Sequence, residues 1–125
     1  MTRSPLSIML APAIAIAVPA AAQGSATVAI ALSNFNIAPA TIHLAAGQPV
    51  RLVFTNASGS SHDFTAPEFF AHATAVSGPV ERGEVDLPGH ASASVTLTPV
   101  RGTYKAKCTH FGHKMMGMRA TIIVD

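Results

Sequence analysis

The chain has 125 residues, a length typical of one domain. Charged residues make up 11% of it and the formal net charge is +2. This balance excludes both the strongly basic surface of a nucleic-acid-binding protein and an acidic disordered tail. The single cysteine excludes an intramolecular disulfide, so the fold must be held together by its core.

The N-terminus has the pattern of a cleavable export signal. Arg3 supplies a positive start, residues 8–18 are apolar, and the alanines at 20–22 fit the small-residue rule for cleavage. We therefore expect a signal peptide over residues 1–22, with the exact cut left open by a few residues, and a mature domain over 23–125. That domain is expected to be periplasmic or otherwise exported, with no stable membrane insertion. Loss of Arg3 leaves seven Lys/Arg against six Asp/Glu, a net charge of about +1.

The mature chain reads as a series of short strands separated by turn signals. The predicted strands are residues 27–32, 41–44, 50–55, 94–98, 103–108 and about 119–124, with a further short segment at 62–65 after a polar loop. Short strands at this spacing predict an all-β protein, a Greek-key antiparallel β-sandwich or barrel of about seven to eight strands.

Alternation within these strands assigns residues to faces. In the strand ending at Cys108, Tyr104, Ala106 and Cys108 share one face, and Lys105 and Lys107 share the other. The same rule predicts a buried face over alternate residues from Val50.

Residues 67–90 break the strand pattern. Pro67 near the start of 67–73 favours a short helix, and 80–87 carries more charge than the rest of the chain. We expect one long connection between sheets, with a possible short helix or edge strand.

Residues 108–118 hold one thiol, two imidazoles and three thioethers. Soft sulfur together with imidazole selects copper or zinc. A structural zinc site commonly needs a pair of closely spaced cysteines, which one cysteine cannot supply. Two histidines, a thiolate and a weak methionine instead match copper cycling between Cu(I) and Cu(II). The second histidine must come from elsewhere, and His62, at a strand boundary after the polar loop, is the best candidate.

At these positions the sequence resembles the cupredoxins, the small blue-copper proteins, over residues 27–124. The resemblance lies in Cys108, His113 and Met118, spaced Cys-x₄-His-x₄-Met with glycine before the methionine, and in His62, 46 positions before the cysteine. It implies one copper ion bound by His62, Cys108, His113 and Met118.

Some site assignments stay open. Met116 is an alternative axial ligand, although Met118 shares a face with the apolar alternate residues of the last strand. His110 competes with His113 as a ligand but is expected beside the metal shell or exposed. The other histidines are expected to be ordinary surface or structural residues, and they are His43, His72 and His90.

Two polar residues are candidates for supporting the site. Asp63 either accepts a hydrogen bond from the backbone near Cys108 or is a solvated turn residue. Asn56 is a weaker candidate for tying the two ligand-bearing loops together.

The favoured function is an exported electron carrier, not an enzyme, since no Ser-His-Asp or paired-carboxylate spacing is present. The resemblance implies an exposed ligand edge in an apolar patch. Phe111, Met115 and Met116 flank His113 and either form that patch or are buried under the site. Redox partners would then bind by weak, transient contact to a monomer. The alternative is a periplasmic protein that traffics or stores Cu(I) between copper donors and acceptors. A metal-free structural sandwich leaves the ligand cluster unexplained.

Overall fold

The computed structural model describes residues 25–110 and 117–125, together with residues 2, 4, 5, 7, 9 and 11–13. The described elements, in chain order, are β1 (Ala26–Ser33), β2 (Asn36–Ala38), β3 (Thr41–Leu44), β4 (Val50–Asn56), β5 (His62–Thr65), α1 (Pro67–His72), β6 (Thr74–Ser77), β7 (Glu84–Leu87), β8 (Ser92–Thr98), β9 (Gly102–Lys107) and β10 (Arg119–Val124). Within this part of the chain, no helix is both long and apolar enough to cross a membrane.

The strands form two five-stranded sheets. The first sheet has the order β2-β1-β4-β8-β6 and the second has the order β3-β10-β9-β5-β7. The predicted all-β sandwich is confirmed, with ten strands in the described residues where seven or eight were expected. Both sheets are mixed, because β1 pairs with β4 and β3 pairs with β10 in parallel while the other pairings are antiparallel. The chain visits the second sheet through β3 before it returns beside β1, and this crossover makes the β1–β4 pairing parallel.

The core lies between the sheets and follows the predicted alternation. Val50, Leu52 and Phe54 are buried on one face of β4. Tyr104 and Ala106 are buried on β9, again as predicted. Each fully buried large apolar side chain contributes about 1.5–3 kcal/mol by leaving water. With no disulfide available, this burial is what holds the sandwich together.

The segment from 67 to 90 contains the expected short helix, but it supplies two edge strands, one to each sheet, where one long connection was predicted. Pro67 opens α1 at a position where its missing amide hydrogen costs nothing, and Phe69 and Phe70 turn inward. The Phe69 ring packs on Tyr104 with 5.6 Å between centroids. The strands β6 and β7 then lie at the outer edges of the first and second sheets.

The second sheet has a narrow junction in its middle. β5 pairs with β7 over four residue pairs, and β9 pairs with β10 over six. Between β5 and β9, both fully described, the register consists of the single pair Thr65↔Lys107. The start of β5 and the end of β9 therefore reach the same end of the sheet, which brings His62 close to Cys108.

Candidate metal site

His62 and Cys108 meet at the end of the second sheet. The distance from His62 Nδ1 to Cys108 Sγ is 3.8 Å, and both residues are fully buried. Metal bonds of about 2.3 Å to sulfur and 2.1 Å to nitrogen, at a trigonal angle, would separate the two atoms by roughly 3.8 Å. The pair therefore fits one ion held between a thiolate and an imidazole.

Met118 lies beside Cys108 across the β9–β10 ladder. The Cys108 amide donates to the Met118 carbonyl at 3.1 Å, one step beyond the last strand pair. Gly117, with φ of 85°, turns the chain into this position through a conformation that favours glycine. The Met118 side chain is fully buried, on the same face as the apolar residues of β10.

The other proposed ligand, His113, lies outside the described residues. So do the alternative axial ligand Met116 and the proposed rim residues Phe111 and Met115, all within 111–116. Among the residues that are described, no group of three or more His, Cys, Asp or Glu could hold a metal. Of the four predicted ligand residues, the structure thus brings together the side chains of His62 and Cys108, and it places Met118 next to Cys108 on the neighbouring strand.

Asp63 joins the two ligand-bearing segments. Its carboxylate is buried and accepts hydrogen bonds from the Thr109 amide at 2.9 Å, the Thr109 hydroxyl at 2.8 Å and the Thr65 hydroxyl at 2.6 Å. The Cys108 Sγ lies 3.9 Å from Asp63 Oδ2. Of the two possibilities left open by the sequence, the structure shows the hydrogen bond and not a solvated turn residue.

His110 lies next to the same carboxylate. Its Nε2 is 3.6 Å from Asp63 Oδ2, and 40% of its side chain is exposed. This places His110 between the buried carboxylate and solvent, beside Asp63 and two residues after Cys108.

Burial raises the pKa of the Cys108 thiol, and the backbone amides of Asp63 and His110 oppose that rise by hydrogen bonding to the sulfur. The raised pKa keeps the metal-free thiol protonated at neutral pH and therefore unreactive. A metal that binds the sulfur must displace this proton.

Asn34 contacts the other side of the His62 ring, and the sequence does not single it out. Its Oδ1 lies 3.4 Å from His62 Nε2. It occupies the turn between β1 and β2, before Phe35, whose φ is 65°. A partner on Nε2 fixes the ring so that Nδ1 faces Cys108. The signal for Asn34 would have been an asparagine in a tight hairpin, but β2 is too short to be read from its pattern.

Asn56 ties a different pair of loops from the pair expected. Its side-chain amide donates to the carbonyls of Ser60, Leu87 and Pro88 at 2.7, 2.9 and 3.2 Å, and its oxygen accepts from the Ser58 amide at 3.0 Å. These bonds fasten the loop before β5 to the turn after β7. Within the described residues they do not reach the segment after Cys108, so Asn56 holds the approach to His62 alone.

The remaining histidines are on the surface, as expected. These three exposed histidines are His43, His72 and His90. His72 packs on Tyr104 with 5.9 Å between ring centroids, at a distance from the site set by the length of β9.

A family model described as a cupredoxin-like domain matches residues 6–124. The chain belongs to the cupredoxin family. Among solved structures, this cupredoxin is similar to auracyanin B, with 27% identity, a TM-score of 0.59, and coverage of 90% of this chain and 94% of that chain. No curated protein sequence matches it.

Two more distant structures share the fold. The cupredoxin is 21% identical to an auracyanin from the photosynthetic bacterium Roseiflexus castenholzii, with a TM-score of 0.62 and coverage of 81% of this chain and 98% of that one. The McoA multicopper oxidase from Aquifex aeolicus reaches a TM-score of 0.65 at 15% identity, over 89% of this chain but 32% of the oxidase. The fold therefore also occurs as one part of that larger oxidase.

Proposed function

We propose that this cupredoxin holds one copper ion and carries single electrons by cycling between Cu(I) and Cu(II). The observation that carries the proposal is the buried 3.8 Å approach of His62 Nδ1 to Cys108 Sγ. The likeness to auracyanin B over 90% of this chain and 94% of that one supports a small copper carrier over an enzyme. His62, Cys108, His113 and Met118 would be the ligands.

The protein's own residues would keep the site rigid when the charge on the metal changes. Asn34 orients His62, and Asp63 fastens the segment after Cys108 to β5. Copper supplies the accessible one-electron couple. Ligands from two segments, each fixed by hydrogen bonds, leave little reorganisation for electron gain or loss.

Export and a partner surface are part of the same proposal. The signal-like residues 1–22 support a periplasmic location for the mature domain. The carrier would meet its redox partners as a monomer, through weak contacts at a rim formed by Phe111, Met115 and Met116 around His113.

A second candidate is Cu(I) trafficking without a redox role. The half-exposed imidazole of His110 beside the site favours it, since a surface donor could receive or release the ion. The surplus thioethers at Met115 and Met116 would serve the same purpose.

The deciding experiment is a visible spectrum and a voltammogram of the copper-loaded mature protein. We expect an intense thiolate-to-Cu(II) band that Cys108→Ser abolishes, and a reversible one-electron wave. Colourless copper that resists oxidation would reject the carrier and support trafficking.

Met115→Glu separates the two functions further. For a carrier, the added charge should slow electron self-exchange while the potential stays unchanged, because each encounter opposes two like charges. For a trafficker, the loss of a soft donor should weaken Cu(I) capture in a competition titration and leave self-exchange unaffected.

A further inference from the structure

Three cations occupy the outward face of β9 and β10. Lys107 and Arg119 are directly opposite each other in the antiparallel register, and Lys105 is opposite Thr121. Within the part of the chain that the structure describes, none of these cations lies within ion-pair distance of a carboxylate. Like charges directly opposite each other destabilise a sheet. Folding therefore gains nothing from this arrangement.

The cations flank the candidate metal site. Lys107 precedes Cys108 and Arg119 follows Met118, so the row of charge begins one residue from two proposed ligands. They line an open groove of about 720 Å³, and Glu68 of α1 is the one carboxylate among the described residues that line it. Three cations against one carboxylate make the groove a locally positive surface on a mature chain of about +1 net charge.

Acidic residues lie to one side of this positive surface, on the edge strand β7. Glu84, Thr65, Lys107 and Arg119 form one cross-strand row through successive register pairs. Glu84 lies on the edge strand β7, two strand spacings or about 10 Å from Lys107, a separation near one Debye length in ordinary salt. Together with the exposed Asp86 on the same face of β7, Glu84 keeps that edge negative. A negatively charged partner is thus attracted to β9 and β10 and away from the β7 edge.

We propose that the outward face of β9 and β10, carrying Lys105, Lys107 and Arg119, is the docking surface for an acidic redox partner protein. The carboxylates of that partner pair with the three cations and hold its own redox centre beside the copper end of the sheet. This inference rests on the proposed carrier function and names the chemistry of the partner.

The test uses one protein probe in two charge forms: a basic mitochondrial-type cytochrome c, and the same cytochrome after succinylation of its lysines has made it acidic. Electron exchange between each form and the copper-loaded protein is followed by stopped flow from low salt to about 1 M, where the Debye length is about 3 Å. The variants are the double substitution Lys107→Gln with Arg119→Gln, and the single Lys105→Gln. The matched control is Arg51→Gln with Arg101→Gln, which removes two cations from other positions of the chain.

We expect the Lys107/Arg119 double variant to slow exchange with the acidic cytochrome about tenfold at low salt, and Lys105→Gln to slow it about threefold. The control double variant should change the rate by less than about twofold, although it has the same net charge as the Lys107/Arg119 double variant. At high salt all rates should converge, and with the basic cytochrome the Lys107/Arg119 variant should be no slower than the unmodified protein. The spectrum and potential of each variant confirm that the site is intact, and Lys105→Gln acts three residues from the nearest ligand.

Equal slowing by both double variants would overturn the proposal, since only net charge would then matter. Exchange that is insensitive to the Lys107 and Arg119 substitutions would overturn it too, while leaving the carrier function in place. A protein that exchanges electrons with neither cytochrome nor a second copy of itself would reject the carrier function and the docking surface with it.

Discussion

The Asp63 carboxylate, on the strand that begins with His62, accepts hydrogen bonds from both the backbone amide and the hydroxyl of Thr109, the residue that follows Cys108. The two segments that carry the buried ligand pair are thereby fastened to each other. The same carboxylate puts a buried negative charge 3.9 Å from the sulfur. Asp63 therefore affects both the shape of the site and its electrostatic potential.

Asp63→Asn tests these two effects together. The amide keeps one acceptor oxygen but loses the charge, so we expect the free energy of unfolding to fall by about 1.5–3 kcal/mol, as for hydrogen bonds to charged groups. The copper potential should rise, because removing a negative charge beside the thiolate favours Cu(I). Urea unfolding of the metal-free protein and voltammetry of the loaded protein measure the two.

Asp86→Asn is the matched control. Asp86 is opposite Asp63 in the β5–β7 register but is exposed on the edge strand. It should shift the potential much less and cost little stability. Equal shifts from the two variants would mean that the potential responds to net charge and not to the buried carboxylate.

Met118→Gln tests the axial assignment. A harder oxygen ligand favours Cu(II), so we expect the potential to fall while copper stays bound. Because Met118 is fully buried, the metal-free variant should also lose about 1–3 kcal/mol of stability through the buried amide. Met116→Gln, made alongside, should leave the potential nearly unchanged. A larger shift from Met116→Gln would transfer the axial role to that residue.

Glu84 gives the protein a pH-dependent stability that can be measured. The hydrogen bond with Asp86, burial, and the charges of Asp63 and Asp86 raise the pKa of Glu84 to about 7 from 4.5. The folded state then binds the proton more tightly than the unfolded state, so stability is lost as the pH rises from about 4.5 through 7. Glu84→Gln should flatten this part of the profile in urea unfolding at pH 5 and pH 8. Parallel profiles for the two proteins would contradict the assignment.

Arg119→Thr should make the fold more stable. It removes one of two like charges that are directly opposite each other across β9 and β10, and threonine suits an exposed strand position. We expect a gain of about 0.5 kcal/mol in thermal or urea unfolding. Arg51→Thr is the control, since it breaks the 3.1 Å hydrogen bond to Ser94 and relieves no repulsion. A loss of stability in Arg119→Thr would show that Arg119 has a structural partner.

The alternating buried and exposed residues of single strands could be predicted from the sequence. The shortest strands and the pairing of strands in the sheets could not. β3, β9 and β10 have side-chain periods of two, so their faces followed directly. β2 and β6 have three and four residues and too little alternation to detect. The parallel pairings are contacts between segments far apart in the chain, which a local pattern does not contain.

For the candidate site too, the ligand residues could be predicted from the sequence, but the contacts around them could not. Residue chemistry and spacing indicated Cys108, Met118 and His62, because ligand types are local properties. Every residue of His62–Thr65 is buried, although a strand at a sheet surface alternates. Asp63 is covered by Thr109 and His110, which come from 46 and 47 positions later in the chain, and only the folded sheet brings them there.

Because β5 and β9 share a single register pair, we expect their junction to be the part of the second sheet that opens most easily. His62 and Cys108 lie on opposite sides of that junction, so an ion bound to both would cross-link two parts of the sheet that the backbone barely joins. The β5–β9 junction has that one register pair and the Asp63–Thr109 hydrogen bonds, whereas β4 pairs with β1 on one side and with β8 on the other. Without metal, the β5–β7 pair should therefore be among the first units to detach, and amide hydrogen exchange at Phe64 should be fast compared with that at Phe54 of β4. Copper should slow exchange at Phe64 far more than at Phe54. In the metal-free protein the β5–β7 pair would then separate from β9 from time to time, and copper binding to His62 and Cys108 would hold the two parts of the sheet together.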